Sequence, residues 1–281
     1  MSLGVTFAIL LAAVLHAGWN ALVKIRGDRI AAIAVITSCS GFLALLFAPF
    51  VAFPDPACWS LLLLTILIHT VYHFVLAVAY NHGDLGQIYP IARGSAPLLV
   101  AFGALLFAAE RLAPVTLLGV LFLSTGVMAL AFERGKGVFA QPRAILYALL
   151  TGSLIAIYTV VDGLGVRRAG SPLSFAVWLT IGDGFLTFLV IFAWKRRALI
   201  NVLRRSLTTG ILGSTMQIAA YWIVLWALSG APMATVSALR ETSVLFAALL
   251  STFVLHEGFG VWRFVSAGLV SLGLVLTRAG R

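Results

Sequence analysis

Long apolar stretches recur along the whole sequence, and their length limits what the chain can fold into. Of the 281 residues, 62% are hydrophobic and only 10% are charged, unlike the balance of a soluble domain. A helix needs about 20 mostly apolar residues to cross the hydrocarbon core of a bilayer. We therefore predict an all-α integral membrane protein with ten transmembrane helices, at 3–23, 31–53, 59–81, 86–108, 113–132, 144–163, 173–194, 207–228, 233–255 and 260–277.

The net charge of +10 would suit a nucleic-acid ligand, but the basic residues lie mainly at the ends of the apolar stretches. With ten spans, the connectors alternate between two sides of the membrane. One side collects Lys24, Arg26, Arg29, Arg134, Lys136, Arg143, Lys195, Arg196, Arg197, Arg204, Arg205 and Arg263. The other side has Arg111, Arg167, Arg168, Arg278 and Arg281. The positive-inside rule places the richer side in the cytoplasm and both termini in the periplasm. We expect no nucleic-acid partner.

Several motifs are missing from the sequence, and their absence narrows the function classes. There is no G-x-x-x-x-G-K-[ST] phosphate loop, so we expect no ATP-driven transport by this chain. Cys39 and Cys58 are the only cysteines and indicate neither a metal site nor a redox compartment. We expect no cofactor. The first apolar stretch lacks the basic beginning of a signal peptide and is long enough to span, so we predict that it is the first helix.

An internal repeat is visible when the sequence is shifted against itself. A shift that places Arg93 on Arg240 also places Glu110 on Glu257, and charged residues make up only 10% of this chain. Each half contains five predicted spans. Because five is odd, the halves cross the membrane in opposite senses. We predict two five-helix inverted-topology repeats, 1–137 and 138–281, in one membrane domain, an architecture found in many secondary transporters.

Each half also contains a glutamate near the end of a span, followed by a glycine-spaced helix. These segments read "AAERLAPVTLLGVLFLSTGV" and "LHEGFGVWRFVSAGLVSLGL", and the first span ends in "HAGWNALVK". This pattern resembles the drug/metabolite transporter superfamily, EamA type, and is most similar to its ten-helix bacterial amino-acid exporters. The resemblance implies a multi-pass protein of the bacterial inner membrane. It also implies export of small molecules by alternating access, with a central cavity formed by spans three, four, eight and nine.

The first span departs from one branch of that superfamily. The small multidrug members carry a membrane-embedded glutamate in the first helix, whereas this chain has His16 and Asn20 there. Proton-coupled export of lipophilic cations is therefore not what we expect. We predict instead the export of small zwitterionic metabolites, chiefly amino acids of broad range that include aromatic and hydrophobic ones. The alternative is export of other small metabolites or drugs.

Arg93 lies between Pro90 and Pro97 in the fourth predicted span. Arginine inside a membrane costs about 2.5 to 3.5 kcal/mol on insertion scales, so it usually faces a partner or a wet cavity. The two prolines remove backbone hydrogen bonds around it, and interrupted helices often mark a transporter site. Arg93 is thus a candidate to bind a substrate carboxylate. In the alternative interpretation it pairs with an acid such as Asp162, Glu241 or Glu110.

The third span carries a stripe of aromatic and titratable residues. At 100° per residue, its members fall on one face, which we predict to line the cavity: His69, Tyr72, His73, Leu76 and Tyr80. The alternative is a packed polar seam between helices.

Several weaker groups complete the candidate substrate site. They are Tyr89, the pair Tyr158 and Asp162, and the trio His16, Trp19 and Asn20, all of which are also compatible with simple packing contacts. Candidates for coupling are the acids Asp162, Asp183 and Glu241. Candidate gate or hinge residues are Gly83, Gly86, Pro90, Pro97, Gly230 and Pro232, although glycine and proline also form ordinary turns.

Two other function classes remain open at this point. An intramembrane enzyme could use His69, His73 and Asp162, but two histidines four residues apart lack a clear third metal ligand. A channel or scaffold would not need charges in the middle of its spans. We therefore favour a transporter that works with a small-molecule substrate and the lipid bilayer, and we expect a monomer.

Overall fold

The computed structural model describes residues 1–24, 29–82, 85–133, 142–247 and 260–280. Regular structure in these ranges is helical. The main helices are α1 (Leu3–Lys24), α2 (Arg29–Leu45), α3 (Trp59–His82), α4 (Leu85–Ala108), α5 (Pro114–Ala129), α6 (Pro142–Arg168), α7 (Pro172–Gly230), α8 (Met233–Arg240) and α9 (Val261–Ala279).

Eight segments within the described part of the chain are long and apolar enough to cross a membrane. They are Leu3–Val23, Pro56–Leu76, Ile88–Ala108, Pro114–Phe132, Pro142–Arg168, Pro172–Trp194, Leu207–Gly230 and Val261–Ala279. Each coincides with a span predicted from the sequence, to within a few residues. The chain is therefore an all-helical membrane protein. The second and ninth predicted spans are not among these eight segments.

The second span was predicted over 31–53, and the prediction is wrong for the C-terminal part of this segment. Helix α2 ends at Leu45, and a short 3₁₀ turn over Ala48–Phe50 follows, with Pro49 in its first turn. Proline cannot donate a backbone hydrogen bond, and the residue before it disfavours helical geometry. The apolar helix Ala31–Leu45 is about 22 Å long at 1.5 Å per residue, which is shorter than the hydrocarbon core.

The ninth span was predicted as one continuous helix over 233–255. This prediction is wrong, because the helix breaks after Arg240. Helix α8 ends at Arg240, a turn covers Glu241 and Thr242, and helix resumes over 243–247. The Thr242 hydroxyl donates to the carbonyl of Leu239 at 2.7 Å, which offers the backbone an alternative to a regular helix. The rest of this predicted span, 248–255, lies outside the described residues, as does Glu257.

Helix α7 contains two predicted spans in 59 consecutive helical residues. A straight helix of that length would measure about 88 Å. However, the Trp222 indole Nε1 donates to Thr180 Oγ1 at 2.9 Å, although the two residues are 42 positions apart. Helix α7 therefore folds back on itself, so that its two membrane segments are neighbours.

The chain forms two compact units. The first comprises Met1–Val14, Val75–Val160 and Ala231–Arg281. Its best-packed pair is α5 with α9, which approach closely because Gly119 and Gly126 face the backbone of α9 at Thr277 and Val270. Small residues allow such close contact between membrane helices. The apolar cluster beside them contains Val120, Leu123, Val127 and Val270.

The second unit comprises Leu15–Phe74 and Val161–Gly230. Here α2 packs along α7, and Gly41 meets Gly184 backbone to backbone. Ala34, Val35 and Ile191 form an apolar cluster beside this contact. Both units draw on both halves of the sequence, and the repeat boundary near 137 stays a prediction.

Candidate functional site

Arg93 of α4 forms a buried ion pair with Glu241, which follows α8. Its Nη1 lies 3.1 Å from each carboxylate oxygen of Glu241, and both side chains are almost fully inaccessible to solvent. This is one of the pairings that the sequence left open. Hydrogen bonds between ionised groups are shorter and stronger than those between neutral groups, and breaking one buried partner is costly.

Arg240 shares the same carboxylate. Its Nη2 lies 3.4 Å from Glu241 Oε1 and donates to the Tyr158 hydroxyl at 3.3 Å. Consecutive residues of a regular helix point about 100° apart, so adjacency alone did not require a pair between Arg240 and Glu241. The pair forms where α8 ends at Arg240 and the chain turns at Glu241.

Two tyrosine rings pack against the guanidinium groups. The Arg93 Cζ lies 5.2 Å from the centre of the Tyr89 ring, and the Arg240 Cζ lies 5.7 Å from the centre of the Tyr158 ring. Such cation–π contacts hold a guanidinium in place while adding apolar surface beside it. We call Tyr89, Arg93, Tyr158, Arg240 and Glu241 the arginine cluster.

The prolines beside Arg93 do not interrupt its helix. Helix α4 continues from Leu85 to Ala108 with Pro90 and Pro97 inside it, and both prolines are buried. Of the other candidate gate residues, Gly86 lies in the first turn of α4, Gly230 ends α7 and Pro232 precedes α8. Gly83 lies outside the described residues. A gating role for these residues stays a prediction.

A second polar cluster is built around Asp162 of α6, whose side chain is fully buried. Thr65 of α3 donates to Asp162 Oδ1 at 2.5 Å, and the hydroxyl of Tyr221 from α7 donates to Oδ2. His69 Nε2 lies 3.2 Å from Asp162 Oδ2 and also 3.2 Å from the Tyr221 hydroxyl. Two helices, α3 and α7, thus supply polar groups to one carboxylate on α6. We call Thr65, His69, Asp162 and Tyr221 the histidine cluster.

One turn further along α3, His73 is paired with a different acid. Its Nδ1 lies 3.7 Å from Asp183 Oδ1, and the hydroxyls of Thr70 and Thr187 each lie 3.4 Å from the same oxygen. Asp183 is more accessible than Asp162, with 13% of its side chain exposed. The predicted stripe on α3 therefore divides between two carboxylates.

The other predicted site residues make local contacts. Tyr72 is buried and its ring lies against the ring of His73. In α1, the Trp19 indole Nε1 donates to His16 Nδ1 at 3.3 Å, and the Asn20 amide donates to the His16 carbonyl at 2.8 Å. The side chain of Tyr80 lies outside the described part of the structure. Substrate contact by these residues stays a prediction.

Comparison with known proteins finds a family and a fold that this chain resembles. Residues 142–279 match the model of the EamA-like transporter family. A protein of known crystal structure has a similar fold, with a TM-score of 0.77 and 16% sequence identity, over 99% of this chain and 98% of that one. No curated protein sequence matches the chain.

The family whose model matches residues 142–279 is one of transporters. Among the described residues, there is no group of three or more histidine, cysteine or acidic side chains arranged to hold a metal ion.

Sequence reasoning missed Tyr221 and Thr65 of the histidine cluster. A tyrosine or threonine in an apolar span carries no charge, and membrane helices commonly contain both. The one available signal was the pair Gln217 and Tyr221, which share a helix face by their spacing of four residues. Gln217 in fact accepts a hydrogen bond from Ser40 at 2.7 Å.

Proposed function

We propose that this transporter exports small zwitterionic metabolites, chiefly amino acids, by alternating access between two inverted repeats, 1–137 and 138–281. The observation that carries the proposal is the sharing of one carboxylate, Glu241, by two buried arginines. Arg93 and Arg240 occupy equivalent positions in the two proposed repeats. Their contact with one common acid is what a site near a repeat interface would require.

The charge and hydrogen-bonding capacity of the arginine cluster suit a substrate carboxylate. Arg93, Arg240 and Glu241 together carry two positive charges and one negative charge. A guanidinium has about five N–H donors, and a carboxylate accepts about four hydrogen bonds. The two arginines therefore have the capacity to hold a second carboxylate beside Glu241, with paired hydrogen bonds to a planar acid group.

The tyrosines of the arginine cluster favour substrates with a broad range of side chains. Tyr89 and Tyr158 present ring surface next to the guanidinium groups. Aromatic rings pack against both aliphatic and aromatic partners without demanding one shape. This environment suits hydrophobic and aromatic amino acids and is less suited to phosphorylated substrates, which would call for more basic residues.

Counterflow into proteoliposomes tests the proposal directly. Vesicles preloaded with phenylalanine should take up labelled phenylalanine through the native protein. Arg93→Lys keeps the charge but loses the paired geometry, and Arg93→Met loses both, so we expect a graded loss with at least a tenfold lower rate for Arg93→Met, about the effect of 1.4 kcal/mol. Arg263→Met is the matched control, because it removes an arginine that pairs with Glu133, outside the arginine cluster.

A competitor without an acid group separates carboxylate binding from general apolar binding. Phenethylamine has the phenylalanine side chain and amine but no carboxylate. We expect unlabelled leucine to inhibit labelled phenylalanine counterflow and phenethylamine to inhibit it weakly. Equal inhibition by both would show that the arginines do not select the substrate. Transport of unrelated compounds with no amino-acid counterflow would favour export of other metabolites or drugs.

The proposed orientation in a bacterial inner membrane places both termini in the periplasm. It follows from the excess of lysine and arginine on the opposite side. A reporter enzyme that is active only in the cytoplasm should be inactive when fused to the C-terminus. Activity of that fusion would reverse the orientation without changing the transport proposal.

A further inference from the structure

We propose that His69 and Asp162 form the site at which this transporter binds a coupling proton. The inference rests on the proposed transport function and adds the coupled ion and its residues. Asp162 is completely buried, and its carboxylate receives hydrogen bonds from Thr65 and Tyr221. His69, whose side chain is 10% exposed, lies at 3.2 Å from the same carboxylate.

A single proton changes the charge of this pair. With Asp162 ionised and His69 neutral, the pair carries one negative charge, and one added proton makes it neutral overall. The proton belongs to the pair, because two titratable groups in contact titrate together. The O–H or N–H bond that forms when the pair takes up the proton is broken again on release, and no other covalent bond changes. The proton is taken up from one side of the membrane and released to the other.

The surrounding hydroxyl groups accommodate both charge states. Tyr221 lies within hydrogen-bonding distance of both Asp162 Oδ2 and His69 Nε2. Its hydroxyl donates to the carboxylate, and its oxygen is available to accept from the imidazole. The negative charge is therefore held by donors from α3 and α7 before the proton arrives. Such support lowers the cost of an ionised group inside a membrane protein.

The other two candidate acids are less suited to carry a proton. Glu241 lies between two guanidinium groups and already forms ion pairs with both. Asp183 is partly exposed and meets His73 at 3.7 Å, with two threonine hydroxyls at 3.4 Å. Within the described residues, Asp162 combines complete burial with a close imidazole.

Other charged and titratable side chains of the described residues lie near the pair in the same unit. Tyr221 faces it from α7. His73, on the next turn of α3, interacts electrostatically with His69 and with Asp183 of α7. On α6, Arg167 donates to the carbonyl of Leu228 at 2.9 Å. His73 thus lies between the two acids, so Asp162 and Asp183 are compared by separate substitutions below.

Transport under an imposed pH gradient is the first test. Amino-acid counterflow measures the proposed function, and the extra net transport caused by a pH gradient measures coupling. We expect the gradient to stimulate net transport several-fold in the native protein, in Asp183→Asn and in the loop control Asp55→Asn. In Asp162→Asn the stimulation should disappear, while counterflow persists at a reduced rate. Asp162→Glu should restore part of the stimulation.

A substrate-independent measurement keeps the proposal testable if the amino-acid assignment fails. The purified protein in detergent is stepped to alkaline pH in weak buffer, and released protons are counted with a dye. We expect Asp162→Asn to release about one proton fewer than the native protein and Asp183→Asn. Equal release from all three, or loss of pH stimulation in Asp183→Asn but not in Asp162→Asn, would overturn the proposal. If Asp162→Asn fails to fold, His69→Gln serves as the second variant. It keeps the acid and should also lose the stimulation.

Discussion

Glu110 and Met233 lie 123 positions apart and are joined by a hydrogen bond, in which the backbone amide of Met233 donates to Glu110 Oε2 at 2.8 Å. Met233 is the first residue of α8. The first amides of a helix have no partner within the helix, and a carboxylate there satisfies one of them and interacts favourably with the helix dipole. Glu110 thus fixes the start of the short helix that leads to the arginine cluster.

We predict that Glu110→Ala lowers the stability of the protein by about 1 kcal/mol, the usual effect of losing a cap. Thermal unfolding in detergent measures this change. Glu110→Gln keeps an acceptor oxygen and should lose less. A loss of the same size in both variants would assign the effect to the charge and not to the hydrogen bond.

Within the arginine cluster, we predict that substituting Glu241 lowers the stability of the protein more than substituting Arg93. Glu241→Gln leaves two buried guanidinium groups without their shared anion, and removing one partner of a buried pair costs about 3 to 5 kcal/mol. Arg93→Met leaves Glu241 with Arg240, so its loss should be smaller. Unfolding temperatures of the two variants provide the comparison. A less stable Arg93→Met would contradict the shared-anion arrangement.

The contact between α2 and α7 should tolerate no extra methyl group. A Cβ added to Gly184 would lie 2.5 Å from the Cα of Gly41, which forces the helices apart. We expect Gly184→Ala to cost about 1 to 3 kcal/mol, as overpacking usually does. Gly268→Ala in α9 is the control, because a Cβ there meets nothing within 4 Å. Equal stability of both variants would mean that the close approach is not required.

The folding back of α7 can be tested through its internal hydrogen bond. Thr180→Val removes the acceptor of the Trp222 indole, and Trp222→Phe removes the donor. If the two residues touch, the effects of the two mutations on stability should be non-additive by about 1 kcal/mol in a double-mutant cycle. Strict additivity would indicate that the two arms of α7 are separated.

The sequence predicted the spans better than it predicted their ends. Eight of the predicted spans were confirmed in the described residues, because the length of an apolar stretch reports directly on the bilayer. The ends of α2 and α8 depend on local chemistry, namely Pro49 and the hydrogen bond from the Thr242 hydroxyl to the carbonyl of Leu239. Hydropathy averages over such single residues and does not register them.

The sequence indicated which residues belong to the candidate site, but it did not indicate which residues they contact. Arg93, His69, Asp162 and Asp183 are conspicuous because ionisable groups are expensive inside a membrane. Which acid each basic residue meets depends on how helices distant in sequence pack, as with Arg93 and Glu241 at a separation of 148 residues. The Arg240 contact also required the turn that the sequence did not reveal.

The packing of α5 against α9 has a consequence for biogenesis. The face of α5 that carries Gly119 and Gly126 meets Thr277 and Val270, which the ribosome adds some 150 residues later. Until the last helix is inserted, this surface must remain in contact with lipid or with other parts of the nascent chain. Completion of the first unit is therefore a late, post-insertion event, and a chain truncated before α9 would be a natural substrate for membrane quality control.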